Sequence, residues 1–383
     1  MLKHLLTVIW NQRKSNFWIL LELLIVSVCL WYVVDYMGGL LSVRFKPLGF
    51  DIAHTYRIDL SEKSPDSEAY IEPYRKTTSL GEDILTILER IRQYPAIDAV
   101  SLSVSSQPYG ATHYGNNSHF ERIYYKDTEG ITAQQYWVTP SFFDVFEIRS
   151  QKGGMGELKQ ALQPHTVIIS PEVEEELMKT ESALGKEIRI GEESTSRRVE
   201  AICHPIRWTE YLKSNPCYYR LITHADIVSF VTPENLQQVE ICIRVRPEAD
   251  HGFEEQFVKD MGQQLLVGNL YLMDVRSSSL IRKAIVSPLQ SEVSLLLIVL
   301  GFLLINIFIG ISGTFWLRTR SRRSEMGLRI AMGSTRTGLQ ALLILEGIVM
   351  LVLAMLPALF INLNIGLTEL VNVYWMEFTF YVT

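Results

Sequence analysis

The side chains with the most evident chemistry in this 383-residue chain are arginines crowded into residues 318–338. They are Arg318, Arg320, Arg322, Arg323, Arg329 and Arg336. Glu325 is the only acidic residue among them. A guanidinium group can bind a carboxylate through two parallel hydrogen bonds, so such a cluster suits recognition of an acidic protein surface. The cluster therefore predicts a binding segment.

The apolar residues of the same segment indicate an amphipathic helix of about 14 residues that lies against another surface. The apolar positions are Leu328, Ile330, Ala331 and Met332. Gly327 and Gly333 allow either close approach of a partner or the end of the helix. The surface is a groove in a partner protein or, alternatively, the membrane, where the arginines would only touch lipid headgroups.

Motifs for catalysis or cofactor binding are not found in the sequence. The phosphate-binding pattern GxxxxGK[ST] does not occur, since Gly185-Lys186 is followed by a glutamate. His113 and His119 are separated by six positions in a loop rich in glycine and asparagine, which is weak spacing for metal ligands. We therefore predict a chain that is not an enzyme, with no catalytic residues, no metal and no cofactor.

Three long apolar stretches must position the arginine segment, at residues 17–37, 293–317 and 339–363. Each reaches the roughly 20 residues that a helix needs to cross a bilayer. The second stretch carries no charged side chain. A cleaved signal peptide is a poorer explanation of the first stretch, since no small-residue cleavage site follows it. We predict three transmembrane helices, with the arginine segment between the second and the third.

Positive charge predicts the orientation of these helices. Lys3, Arg13 and Lys14 precede the first stretch, on the same side as the arginine segment when spans are counted. Lysine and arginine are retained on the cytoplasmic side. An interfacial helix over residues 1–16 and the arginine segment are then cytoplasmic, while residues of about 40–288 lie outside. The alternative for residues 1–16 is a helix that simply extends the first span into the cytoplasm. The net charge of −6 gives no support for nucleic-acid binding.

Two placements stay open on the sequence alone. Glu346 lies about one turn from the arginine segment, so we expect its carboxylate to reach the membrane interface, the alternative being a contact between helices.

Cys203 and Cys217 could pair in an oxidising compartment, but Cys242 makes the number of cysteines outside the membrane odd. We expect free thiols.

Residues between the first two apolar stretches alternate between helix and strand patterns. Amphipathic spacing predicts helices at 80–93 and 253–266. Period-two alternation predicts strands such as 99–105 and 239–246. A mixture of this kind forms an α+β domain packed on one sheet.

The order of residues in the arginine segment resembles the FtsX-like permease domain of the MacB family of ABC transporters. The shared pattern is an arginine-rich turn, Glu, an apolar residue, Gly, Leu-Arg, a small apolar pair and a further Gly. It is met by Arg320, Arg322, Arg323, Glu325, Met326, Gly327, Leu328, Arg329, Ala331, Met332 and Gly333. Residues 137–146 and 167–170 resemble periplasmic segments of the same family.

The resemblance implies a multi-pass α-helical membrane protein with a large periplasmic α+β domain inserted between the first and second transmembrane helices. That domain would have a porter and a second lobe, divided near Gly153-Gly154 and Thr232-Pro233. The predicted segments are a cytoplasmic interfacial helix (1–16), transmembrane helix 1 (17–37), a periplasmic MacB-like core domain (44–285, with porter 44–150 and 233–285 and second lobe 151–232), transmembrane helix 2 (293–317), a cytoplasmic coupling loop or helix (318–338), transmembrane helix 3 (339–363) and a periplasmic tail (364–383). Family permeases have four spans, so we expect the sequence to be truncated before the fourth.

The resemblance also implies a function. The chain would be a permease subunit of an ABC transporter that works by mechanotransmission, with the ATPase on a separate chain and a second permease copy or paralogue completing a dimer. The residues implied to couple to the ATPase are Arg320, Arg322, Arg323, Glu325, Gly327, Leu328, Arg329, Ala331, Met332 and Gly333. The setting would be the bacterial inner membrane and its lipids, with efflux of an antimicrobial or peptide through a periplasmic adaptor and an outer-membrane channel.

Three alternatives stay open. Lipoprotein release and FtsX-type activation of cell-wall hydrolases during division use the same architecture. A membrane-anchored periplasmic sensor belongs to a different class and would signal through the arginine segment to a kinase or cyclase. The sequence disfavours the sensor, since no heptad pattern of a signalling coiled coil follows the second apolar stretch.

Overall fold

In a computed structural model of the chain, the long apolar stretches and the α+β region form two structural units. The structure describes residues 13–110, 120–126, 128–179, 181–191, 195–321, 323–333 and 335–367. The central unit comprises Lys46–Pro288, and the residues on either side of it form the helical unit. The helices are α1 (Arg13–Arg44), α2 (Leu80–Arg92), α3 (Phe142–Val145), α4 (Met155–Ala161), α5 (Pro171–Met178), α6 (His224–Phe230), α7 (Phe253–Met261), α8 (Ser278–Ser321), α9 (Arg323–Ala331) and α10 (Arg336–Leu367). The strands are β1 (Thr55–Glu62), β2 (Ile97–Val104), β3 (Phe120–Tyr124), β4 (Ile131–Val138), β5 (Thr166–Ile169), β6 (Glu187–Ile190), β7 (Thr195–Ile202), β8 (Cys217–Leu221), β9 (Val239–Val245) and β10 (Leu270–Ser277).

Each predicted transmembrane stretch lies inside one of the long helices α1, α8 and α10. The parts of these helices that are long and apolar enough to cross a membrane are Leu20–Arg44, Ser278–Gly310 and Arg336–Ile365. Length and apolar composition identify these spans, because a bilayer sets a minimum length of apolar helix. The predicted interfacial helix lies mostly outside the described residues, as does the predicted tail, whose first residues belong to α10.

One ridge of α10 is buried within the helical unit. Its members are spaced by four residues, which places them on one face of the helix. They are Glu346, Met350, Ala354, Ala358 and Asn362. The amide Nδ2 of Asn362 lies 3.5 Å from the carbonyl oxygen of Val28 in α1. Small side chains on such a ridge let two membrane helices approach closely.

Glu346 lies on this buried ridge, and only 3% of its surface is exposed. Its position four residues before Met350 turns the side chain toward the neighbouring helices. The burial favours the alternative, a contact between helices, over a side chain that extends to the lipid headgroups. The depth of Glu346 in the membrane stays a prediction.

The first half of the central unit is an antiparallel sheet with helices packed against it. Its strands follow the order β10-β1-β9-β2-β4. The helices α2 and α7 cover one face with side chains such as Ile84, Ile87 and Phe257, which are fully buried. Alternate strand residues, among them Leu102 and Ile241, complete this core. The short helix α3 packs against the other face, in the core that contains Cys242. A sheet packed against helices is an α+β arrangement, as predicted.

The second half of the central unit is a closed ring of six strands. Following β4, the order is β3-β6-β7-β5-β8, and β8 then pairs in parallel with β4 over residues 134–138. The interior is filled by side chains such as Ile123, Val167, Val199 and Tyr218. Closure removes the free edges that a strand would otherwise present. β4 belongs to both halves. The division into a porter and a second lobe stays a prediction.

Candidate functional site

The arginine segment forms the end of α8, the short helix α9 and the beginning of α10. Residues 318–321 continue α8, and α9 runs over Arg323–Ala331, nine residues. The predicted helix of about 14 residues is thus too long. It ends early because Gly333 adopts a left-handed conformation with φ of +99°, which a glycine tolerates. The amides of Met332 and Gly333 then donate to the carbonyls of Leu328 and Ile330, each at 3.0 Å, and close the helix end.

The predicted coupling residues fall in order along this segment. Arg320 lies in the last turn of α8; Glu325, Gly327, Leu328, Arg329 and Ala331 lie in α9 with Arg323 at its start; Met332 and Gly333 follow it. Arg322 lies outside the described residues. The structure therefore brings nine of the ten predicted residues into one stretch of backbone between two long apolar helices. It does not test what they bind.

Apolar side chains at the end of α9 are exposed. The exposed fractions are 62% for Leu328, 44% for Ile330 and 74% for Met332. Leu328 and Met332 are four residues apart, so they share one face of the helix. Three large apolar side chains are thus exposed within five residues.

Two details refine the chemistry of the segment. The Arg320 guanidinium carbon lies 5.5 Å from the centre of the Trp316 ring, a cation–π geometry at the end of α8. A Cβ atom added to Gly327 would have no neighbour within 4 Å, so none of the described residues approaches this glycine closely. Room for a partner surface is therefore present at Gly327.

A buried carboxylate in the central unit was not recognised from the sequence. Glu240 on β9 is 1% exposed, and its Oε2 accepts hydrogen bonds from the Ser103 hydroxyl at 3.0 Å and from the amides of Ser106 and Gln107 at 2.7 Å. Burial raises the pKa of Glu240, while Arg57 and these donors oppose the shift. The carboxylate fixes the loop that follows β2. The only sequence signal that could have identified Glu240 is an acidic residue at an inward-facing position of a strand.

Neither thiols nor acids assemble a metal site in the part of the chain that the structure describes. No group of three or more His, Cys, Asp or Glu side chains there is arranged to hold a metal ion. Cys203, Cys217 and Cys242 are buried free thiols. A hydrogen bond between Cys203 and Cys217, together with burial, raises the pKa of Cys203, so this thiol is unreactive in the folded state.

Comparison with known families assigns the central unit. A model of the MacB-like periplasmic core domain matches residues 49–250, more than half of the chain. The chain belongs to this family. The predicted kinship with MacB-like permeases is thereby confirmed. The match covers most of the central unit and none of the arginine segment, whose role stays a prediction.

Two solved structures show distant similarity to this chain. The periplasmic region of MacB from Actinobacillus actinomycetemcomitans is 12% identical, covers 64% of this chain and 97% of its own, and has a TM-score of 0.38. The extracellular domain of the ABC-type transporter YknZ from Gram-positive bacteria is 12% identical, covers 57% of this chain and 100% of its own, and has a TM-score of 0.34. A comparison with curated proteins finds no match. The assignment rests on the family model, and a MacB-like periplasmic core domain is a component of ABC transporter permeases.

Proposed function

We propose that this chain is the permease subunit of an ABC transporter that works by mechanotransmission. The observation that carries the proposal is α9, a short helix with exposed apolar residues and arginines, held between two membrane-length helices of a MacB-like protein. The ATPase is a separate chain whose surface receives Leu328 and Met332 and whose acidic side chains pair with the arginines. A second permease copy or a paralogue completes the dimer.

Movement would pass along the chain in a defined order. Nucleotide binding closes the ATPase subunits and pushes α9, which is flanked by α8 and α10. The helix α8 begins directly after β10, contains Pro288 and ends in the arginine segment. On our proposal, displacement of α9 passes along α8 and moves the central unit. On this view the N-terminus is cytoplasmic and the central unit is periplasmic, at the inner membrane of a bacterium.

The cargo that we propose is an antimicrobial compound or a peptide, expelled from the periplasm through an adaptor and an outer-membrane channel. Cargo of this kind does not have to pass between the membrane helices, which fits apolar helices with few charges. Lipoprotein release would instead be recognised by acylated proteins bound to the central unit. A role in division would be recognised by accumulation of the chain at the septum.

The test is to purify the full-length chain from its native membranes, identify the proteins that accompany it, and measure ATP hydrolysis. We expect a stoichiometric ABC ATPase. Replacing both Leu328 and Met332 by serine should abolish its retention, because the exposed apolar contact is removed. The control is Met273→Ser, a residue of the central unit that is 67% exposed and lies far along the chain from α9.

Two results would contradict the proposal. Retention of the ATPase by the Leu328→Ser, Met332→Ser variant would remove α9 as the coupling element. Recovery of a kinase or cyclase in place of an ATPase would favour the membrane-anchored sensor.

A further inference from the structure

The strand β10 passes directly into α8 at the edge of the central sheet. Ser277 is the last residue of the strand, and Ser278 is the first residue of the helix. β10 is the terminal strand of the sheet and is paired with β1. If β10 were the only attachment of α8 to the central unit, movement of α8 would act on an edge strand alone. A second attachment would decide how much of the central unit responds to the helix.

One face of the first turns of α8 supplies that second attachment. Ser278 and Val286 are buried, and Arg282 lies between them at four-residue spacing on the same face. The Arg282 Nε and Nη2 atoms contact the Oε1 oxygen of Glu210. The Glu210 side chain is 5% exposed, and the Arg282 side chain is 39% exposed. A charge-assisted pair in which the carboxylate is buried is stronger and more directional than a surface ion pair.

Tyr109 is fully buried. Burial and the Glu210 carboxylate raise the pKa of its hydroxyl, and Arg282 opposes the shift, so both members of the ion pair act on this hydroxyl. Its backbone has a left-handed φ of 59°, which is rare for a bulky residue and is maintained only by the surrounding structure. The Tyr109 ring packs edge-on to Phe50, with ring centres 5.7 Å apart. Phe50 belongs to the segment that joins α1 to β1.

The loop that carries Glu210 also holds the segment after α1. The amide of Arg207 donates to the carbonyl of Leu48 at 3.0 Å. Gly49 has a φ of +87°, and a Cβ atom there would lie 2.2 Å from the carbonyl oxygen of Pro205, so only glycine fits. Residues 204–216, between β7 and β8 of the six-stranded ring, therefore contact both segments that lead from the central unit toward the apolar helices.

We propose that Tyr109, Glu210 and Arg282 form a mechanical joint that couples movement of α8 to residues 204–216, and through them to the six-stranded ring. The proposal rests on the proposed function as a mechanotransmitting permease. These are positioning residues, since none of them touches a nucleotide or a cargo. The Glu210 Oε2 atom is buried without a hydrogen-bond partner among the described residues. An unsatisfied acceptor of this kind is available to a second arrangement of the joint when α8 shifts.

The test uses the transporter complex isolated from native membranes, with and without a nonhydrolysable ATP analogue. Amide hydrogen exchange is measured for residues 105–110 and 204–212 together with the rate of ATP hydrolysis. In the unaltered protein, the nucleotide should change exchange in both segments. In Glu210→Gln, which keeps the shape and removes the charge, this change should be lost while hydrolysis continues. The matched control is Glu200→Gln, whose ion pair with Arg198 is exposed.

A charge exchange separates coupling from simple stabilisation. The variant carrying both Glu210→Arg and Arg282→Glu should regain the nucleotide-dependent change that either single variant lacks. A pair that only stabilises the fold would lower the thermal midpoint of Glu210→Gln and leave the nucleotide-dependent change intact, and that result would overturn the joint alone. An unaltered chain that carries no ATPase and shows no nucleotide-dependent change would overturn the proposed function and the joint with it.

Discussion

Apolar side chains face the interior of the central unit and the exterior of the helical unit. In α2 of the central unit, Ile84 and Ile87 have no exposed surface. In α8, Phe302, Ile305 and Phe308 are between 59% and 73% exposed. The same apolar residue types are therefore buried inside one unit and exposed on the surface of the other, where an apolar surrounding stabilises them. The central unit buries these side chains internally, whereas α8 exposes them, which is the pattern of a helix in contact with lipid.

Polar groups differ between the two units in the same sense. In the central unit, the buried Glu240 Oε2 atom accepts from two backbone amides and a serine hydroxyl in the same unit. In α8, the exposed Nδ2 of Asn306 donates to the carbonyl of Phe302, one turn back, as polar side chains do in an apolar medium. Among the described residues, α9 differs from both, because it combines arginines with exposed apolar side chains.

The largest expected effect comes from placing a charge on an exposed apolar position of α8. Ile305→Arg should impair membrane insertion, because an arginine at the centre of a span costs about 3 kcal/mol. The control is Val258→Arg on α7, since Val258 is 46% exposed but faces water. The amount of each variant in the membrane fraction is measured. Normal insertion of Ile305→Arg, or equal loss of both variants, would break the contrast between the units.

A smaller effect is expected from the buried carboxylate. Glu240→Ala should lower the free energy of unfolding of the central unit by about 3 kcal/mol, because it leaves the Ser106 and Gln107 amides and the Ser103 hydroxyl without an acceptor. Glu240→Gln keeps an acceptor oxygen and should cost much less. Unfolding is followed in the full chain by denaturant-dependent labelling of the buried thiols. Equal costs for both variants would contradict this account of the loop.

The pH dependence of Glu240 has a definite sign. Its pKa is raised in the folded state, so the folded chain binds this proton more tightly than the unfolded chain. The contribution of Glu240 to stability is therefore present below its unfolded pKa and is lost as pH rises through the folded value. Glu240→Gln should flatten this part of the stability–pH curve. A stability–pH curve that Glu240→Gln leaves unchanged would show that Glu240 does not titrate with a raised pKa in the folded state.

The smallest effect concerns the start of α2. The Ser79 hydroxyl accepts from the Glu82 amide at 3.2 Å, and the Glu82 carboxylate accepts from the Ser79 amide at 2.6 Å, forming a capping box. Ser79→Ala should destabilise the central unit by about 1 kcal/mol. Thiol labelling measures the change, and Ser79→Asp, which can restore the cap, serves as the control. No difference between the two variants would contradict the capping role.

Elements with local signals could be predicted from the sequence. The helix predicted at 80–93 is α2, and the strand predicted at 239–246 is β9. Apolar spacing and the neighbouring Pro95 were sufficient for the first, and alternation was sufficient for the second. The helix predicted at 253–266 ends early, at Met261; the backbone of Gly262 is still helical, and Leu265 is buried in the core.

Features that depend on distant residues could not be predicted. Closure of the ring requires β8 to pair with β4, some 80 residues earlier, and no local pattern specifies that partner. Tyr109, Glu210 and Arg282 meet in the same way, from three unconnected parts of the chain. In the arginine segment, the order of residues predicted a binding helix, but the position of its end depended on Gly333.

The most direct test of the account places a photoactivated cross-linking amino acid at Leu328 in the full-length chain and irradiates intact cells. The account predicts a single dominant protein adduct, an ABC ATPase, while the same group at Phe302 in α8 gives lipid adducts. An adduct at Leu328 with lipid alone, matching that at Phe302, would show that α9 only rests on the membrane and would contradict the coupling role.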